Sequence, residues 1–211
     1  MSSMTTTAPD GGTRMRSEDR RALVLEAATR VFGERGYHGA TTDAVARAAG
    51  VSQPYVVRMF GGKEAMFLAV LDRTLDRIIE AFGEALDENR RTADPDDIDA
   101  LAMCIGRNYV DLLRDRGLLL SLMQAFLLGA DPDIGPHARA GFRRVYRYLR
   151  DEVGLPADRV HEVLAQGMLI NTVVGLKMVD DIDDDPAAAE LLGQLFPTKL
   201  EVLLSMRESA S

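Results

Sequence analysis

Four polar side chains, Gln53, Tyr55, Arg58 and Lys63, fall within an eleven-residue span that is otherwise small and apolar. A glutamine can hydrogen-bond a base edge, notably adenine. A tyrosine can contact a thymine methyl or donate to a phosphate, and arginine holds a phosphate. Lys63 follows Gly61-Gly62, so the free amides of Gly62 and Lys63 at a helix start would form an anion site with its ammonium. Together these are the groups of a duplex-DNA reader, and they work only if one helix face presents them.

The sequence supplies such a helix. Thr41 or Thr42 can cap a short helix through Ala49, with Val45 and Ala46 turned inward. Gly50 breaks it at a turn that needs φ > 0. Ser52 caps a second helix running to Phe60, with Pro54 tolerated in its first turn. That is helix-turn-helix spacing. Val51 and Val56 can pack back on the first helix, which leaves Gln53, Tyr55 and Arg58 on the polar face of a recognition helix. Before it, apolar residues at four-residue steps (Leu23, Ala27, Val31; Val24, Ala28, Phe32) mark a helix after Ser17, with Gly36 placed as its stop. After it, Lys63 opens a long helix with Met66, Phe67, Val70, Leu71, Leu75 and Ile78 inward.

Beyond that point the periodicity stays helical. Breaks are expected at 89–97, 129–136, 154–156 and 180–186, with Asp185-Pro186 as a capped start and Pro197 as a divider. No strand pattern and no internal repeat occur. The expectation is an all-α chain of nine or ten helices. Residues 1–16 form a flexible tail, 17–62 a three-helix DNA-binding head, and 63–208 a helical-bundle body for effector binding and dimerisation.

Composition narrows the function further. The 211 residues carry a net charge of -8, which taken whole argues against nucleic acid. The average conceals a split: residues 1–63 are net +3 and residues 64–211 net -11. A basic head on an acidic body points to an anionic partner for the head alone. The single Cys104 excludes an internal disulfide framework. No apolar run spans a membrane and the first sixteen residues carry no secretory signal, so a cytoplasmic location is expected. His38, His137 and His161 fall in no zinc motif, and neither a G-x-G-x-x-G nor a P-loop is present. No catalytic residue, metal or cofactor is assigned, and an enzyme is not expected. The acidic run at 180–185 lacks the glycine and terminal glutamate of a calcium loop. Arg139, Arg143, Arg144, Arg147 and Arg150 are expected to pair with surface carboxylates.

Residues 21–67, RALVLEAATRVFGERGYHGATTDAVARAAGVSQPYVVRMFGGKEAMF, resemble the DNA-binding head of the TetR-type (TetR/AcrR) bacterial transcriptional regulators. The matching pieces are Phe32-Gly33-Glu34-Arg35-Gly36-Tyr37, Thr41-Thr42, Ala46 through Ser52, Phe60 and Lys63-Glu64. The resemblance implies an all-helical homodimer with one head per subunit, and DNA-facing positions at Thr42, Gln53, Pro54, Tyr55, Arg58 and Lys63. Ser52, at the start of the recognition helix, belongs to the same surface. The family's aromatic pair near the end of that helix is replaced by Val57 and Met59. The tyrosine that the resemblance would put on a phosphate at position 57 is missing, and Tyr55 and Arg58 are left to compensate.

The resemblance also places an effector cavity between body helices. Pliable apolar residues with a few polar ones suit it: Met103, Arg107, Asn108, Met123, Phe126, Met168 and Asn171 are the candidates. By the same resemblance the last two apolar segments (Val163, Gly167, Ile170, Val174, Met178; Leu191, Leu192, Leu195, Leu200, Leu203, Leu204) build a four-helix dimer interface. Truncation after Asp180 is then expected to abolish dimerisation. The implied function is a ligand-responsive regulator, expected to be a repressor, released from a palindromic operator by a small, largely apolar molecule. The alternatives are a ligand-independent dimeric DNA-binding protein and a helical enzyme.

Overall fold

The caps read from the sequence set the first helices. In the computed structural model, which describes residues 17–92, 94, 97–115 and 117–208, α1 spans Ser17–Gly39, α2 Thr42–Ala49 and α3 Gln53–Phe60. The expected tail at 1–16 lies outside the described residues. Thr41 Oγ1 accepts from Ala44 N at 3.0 Å, which makes it the N-cap of α2, and Gly50 closes α2 in the left-handed region at φ 66°. Pro54 sits in the first turn of α3, where no amide is needed. Gly36 does adopt φ 67°, but the chain resumes one further helical turn to Gly39 instead of stopping. Val24, Ala27, Ala28, Val31 and Phe32 are buried as expected, whereas Leu23 is 47% exposed. Leu23 stands about 100° round the helix from the centre of that stripe.

α4 spans Lys63–Thr92, about 45 Å of continuous helix at 1.5 Å per residue. Its first turns bury Met66, Phe67 and Val70 against the head, and its remainder buries Leu75, Ile78 and Phe82 in the body. Phe67 meets Phe32 edge to face at 4.9 Å and Tyr37 at 5.0 Å, locking α4 to α1. The body continues with α5 (Ile98–Asp111), α6 (Leu118–Leu127), α7 (Ile134–Arg147), α8 (Ala157–Gly175), α9 (Pro186–Leu195) and α10 (Leu200–Glu208). No strand occurs among the described residues. Asp185 caps α9 through Ala187 N at 2.8 Å, and Pro197 separates α9 from α10.

Several boundaries move. Asn89 stays inside α4 as a buried residue. Pro136 lies in the first turn of α7 instead of ending the loop before it. α8 stops at Gly175, and the chain turns at Lys177 with φ 55°, so that break begins before Asp180. One break was not expected at all: Leu112–Arg114 forms a 3-10 turn, and Gly117, at φ 86°, starts α6. Apolar residues flank it on both sides, so periodicity does not mark it.

Part of each of the last two apolar segments faces the chain's own core. Ile170, Leu192, Leu195, Leu203 and Val202 are buried within the single chain. They are core, because α9 and α10 fold back onto the turns after α5 and α8. Leu169 and Leu176, on the outer side of α8, are 42% and 68% exposed.

α1 and the start of α6 meet backbone to backbone at Gly33 and Gly117. A Cβ on Gly33 would lie 2.2 Å from Gly117 Cα, and one on Gly117 would lie 2.5 Å from the Thr29 carbonyl oxygen. Ser121 Oγ donates to that same carbonyl at 3.3 Å. Arg73 of α4 donates to Thr29 Oγ1 at 3.3 Å and to the Asp115 carboxylate. One guanidinium thus ties α1, α4 and the start of α6.

Candidate nucleic-acid interface and effector cavity

α3 packs on α2 through Val56, which is fully buried, and this anchors the opposite face outward. Ser52, Gln53, Pro54 and Arg58 are exposed on that face; Tyr55 is half-buried beside them. Gln53 Nε2 donates to Thr42 Oγ1 at 3.3 Å, so the first residues of α2 and α3 form one polar edge. The Arg58 guanidinium lies 5.2 Å over the Tyr55 ring, which aligns two groups able to reach a phosphate. Val57 and Met59 are half-buried and leave that task to them.

Lys63 is placed differently from the rest. Its ammonium sits 4.6 Å over the Tyr37 ring and donates to the His38 carbonyl at 3.3 Å. It therefore closes α1 onto α4, as a cation at a helix C-terminus should. Sequence reasoning overlooked Arg21, whose guanidinium lies 4.6 Å over Phe60 and adds an exposed cation near the end of α3. Its signal is that it begins the stretch of family resemblance.

In the body, α4, α5, α6, α7 and α8 enclose an apolar cavity. Eighteen residues line it, among them Leu75, Ile78, Phe82, Leu122, Phe142 and Val145, yet it measures about 50 Å³. Its polar contacts are few. Tyr109 donates to Asn171 Oδ1 at 3.0 Å between two buried side chains, and Gln166 stands at one edge. Burial pushes the Tyr109 phenol up to about 12, with the Asn171 bond pulling slightly the other way.

The sign of that shift fixes a pH window. The unfolded phenol ionises near pH ~10. Its contribution is intact below that value and is lost as pH rises towards about 12. Alkaline titration followed by tyrosinate absorbance should show the last tyrosine ionising together with the loss of helical circular dichroism. Ionisation of all five tyrosines with helicity intact would contradict the buried placement.

Of the seven expected ligand residues, Phe126, Met168 and Asn171 line this cavity. Met103 and Arg107 do not. They line an outer groove between α5, α8 and the α9–α10 turn, and Met103 is 70% exposed. Helical spacing had them on one side of α5, but α4 covers the other side. Asn108 is bound to Glu88 at 3.2 Å and to the Cys104 carbonyl at 3.0 Å, and Met123 lines neither space. Tyr109, the partner of Asn171, completes the polar pair from 62 positions away in the chain.

Cys104 is 4% exposed, and its thiol donates to Glu88 Oε2 at 3.2 Å. Burial and the Glu88 carboxylate push the thiol up, away from the reactive thiolate. That bond, with those from Asn108 and Arg107, holds the Glu88 carboxyl below its usual range. Of the arginines between 139 and 150, Arg144 pairs with Asp76 at 2.7 Å as expected, whereas Arg139 and Arg150 instead donate to the carbonyls of Gly129 and Leu155. In the acidic run, Asp183 pairs with Arg207 and Asp185 caps α9. Among the described residues no group of three or more metal-binding side chains is gathered, and no helix is long and apolar enough to cross a membrane.

Comparison with known proteins places this geometry. Residues 24–70 match the sequence profile of the bacterial regulatory proteins of the tetR family. The chain is 41% identical over 75 residues to the HTH-type transcriptional activator FasR of Mycolicibacterium smegmatis, covering 36% of this chain and 34% of that one. It is 39% identical over 64 residues to the HTH-type transcriptional repressor AcnR of Corynebacterium efficiens, covering 30% and 34%. These alignments span about a third of the relatives' length. The fold matches a TetR-like transcriptional regulator from Rhodococcus sp. RHA1 with a TM-score of 0.60 at 22% identity, over 86% of this chain and 96% of that one.

Proposed function

We propose that this chain, TetR-type in its head and in its fold, is a cytoplasmic DNA-binding regulator that represses transcription as a homodimer and leaves a palindromic operator when a small molecule enters the body cavity. Two α3 helices would occupy successive major-groove half-sites, one helical turn apart or a multiple of it. Thr42, Ser52, Gln53, Pro54, Tyr55 and Arg58 would form the contact surface, with Lys63 holding the frame behind it.

The observation that carries the coupling is the backbone contact between α1 and α6. Leu122 and Phe126 of α6 line the cavity, and Gly117 at its start presses on Thr29 and Gly33 of the head. A cavity of about 50 Å³ holds only a few waters, so a larger guest has to part its walls. Displacement of α6 then moves α1, because the two meet backbone to backbone at Gly117 and Gly33. An effector that binds the displaced state tenfold better lowers operator affinity by at most about 1.4 kcal/mol per site.

Selection of bound DNA from random duplexes, followed by footprinting, should return a palindrome. On that site Tyr55→Ala should weaken specific binding. Arg58→Ala should weaken it too and should reduce the log–log salt slope by about one per head. Unchanged titrations for both variants would remove α3 from the interface. The small cavity also favours a second reading, a dimeric DNA-binding protein without an effector. Thermal shifts across a metabolite library separate the two, since the second reading requires that no compound both stabilises the chain and releases DNA.

A further inference from the structure

The apolar cavity and the outer groove share a wall. Ala102, Gly106, Val163 and Gln166 line both spaces. At Gly106 there is no side chain, and the nearest atoms to a Cβ built there are the amide oxygen and nitrogen of Gln166 at 3.8 and 3.9 Å. Gln166 is exposed and makes no hydrogen bond or ion pair with the described residues. One unrestrained side chain therefore stands between a small apolar cavity and a groove of about 470 Å³ whose lining includes Arg107, Arg159 and Lys199.

We propose that these two spaces are halves of one site for an amphiphile, with an apolar chain in the cavity and a carboxylate head in the groove, passing between Gly106 and Gln166. The inference rests on the regulator reading and names the class of its effector. The interior asks for no polar group, because Tyr109 and Asn171 satisfy each other.

The groove is suited to a carboxylate by exchange. Arg107 holds Glu88 at 2.7 Å, Arg159 holds Asp99 at 2.6 Å and Glu162 at 2.8 Å, and Lys199 holds Asp111. The Arg107 and Arg159 side chains are 40% and 36% exposed, so these pairs are weak and water-accessible. Each holds a given carboxylate by one nitrogen, so a guest carboxylate can replace a protein carboxylate on either guanidinium. A cationic head would instead have to displace an arginine from its acids.

The test uses the full chain with decanoate, 1-decanol and decyltrimethylammonium as probes, read by titration calorimetry. Decanoate should bind at least fivefold tighter than decanol, and the ammonium most weakly. Gly106→Val fills the gap against Gln166 and should weaken decanoate tenfold or more. Xenon, small enough for the cavity alone, should still enter the variant by its NMR shift. Gly106→Ala, whose Cβ meets only ordinary contacts, should bind decanoate within about twofold of the parent. Equal decanoate binding by the valine variant, tightest binding of the ammonium, or no binding of any decyl probe to the parent chain would each overturn the proposal. DNA selection is run alongside. A chain that selects no operator refutes the regulator reading itself, whereas a chain that selects one but fails the probe tests refutes only the amphiphile.

Discussion

Gly117→Ala should lower the thermal unfolding midpoint by roughly 6–12 °C, the largest effect expected of any single methyl group added to this chain. Two costs add at this position. The residue sits at φ 86°, a region an L side chain rarely occupies, and the new Cβ would lie 2.5 Å from the Thr29 carbonyl oxygen and 3.0 Å from Arg30 Cα. Backbone strain of about 1–3 kcal/mol joins an overpacking cost of similar size, about 3 kcal/mol or more together. The neighbour that must yield is helix backbone, which cannot rotate aside as a side chain would. Gly154→Ala isolates the first cost, because Gly154 has φ 83° but nothing within 4 Å of the added carbon. It should lose only about half as much. Circular dichroism melts of the two variants measure this directly. Equal losses would mean that the α1–α6 crossing is looser than its geometry, and the coupling of cavity to head would lose its basis. If the crossing is as tight as it stands, any Gly117→Ala protein that still folds should bind operator DNA but respond less to an effector.

The parts of this fold that the sequence made legible are those decided within a few residues. Thr41, Gly50 and Asp185 bond backbone groups two to four positions away, so a short window contains both partners. The buried face of α4 was equally clear, since one stripe runs the length of a helix packed on both head and body. The face of α3 followed from Val56, because a helix with one apolar side must show the other. What stayed hidden depends on contacts across the chain. Lys63 has the charge and setting of an anion binder, but Tyr37 and His38, from the end of α1, claim its ammonium. Met103 and Phe126 look alike as pliable apolar residues, and only the position of α8 puts one in a groove and the other in the cavity. Gly117 has no signature in a leucine-rich stretch, because its reason is Thr29, 88 positions earlier in the chain.

The same distinction changes how dimerisation is to be tested. Truncation after Asp180 would strip Leu192, Phe196, Val202 and Leu203 from the core, so it would unfold the body whether or not that segment meets a partner. A surface open to a second copy in the proposed dimer is the outer stripe of α8. Ala165, Leu169, Thr172 and Leu176 follow one another at steps of three and four, all exposed, on one face of the helix. Small residues alternate there with two leucines, as close helix approach requires. A two-fold axis would bring the stripe against itself, so each substitution counts twice. Leu169→Glu with Leu176→Glu removes four leucines from such an interface and places four carboxylates near one another. Even at about 1 kcal/mol per leucine, below the usual range for full burial, the loss is about 4 kcal/mol, or roughly a thousandfold in dissociation constant. Sedimentation should show a folded monomer at concentrations where the parent chain is a dimer, with unchanged helical circular dichroism because neither side chain is core. Operator affinity should fall with it, since a single α3 holds only one half-site. A double variant that stays dimeric would move the interface off α8, and a monomer that retains full operator affinity would show that the two heads do not bind together.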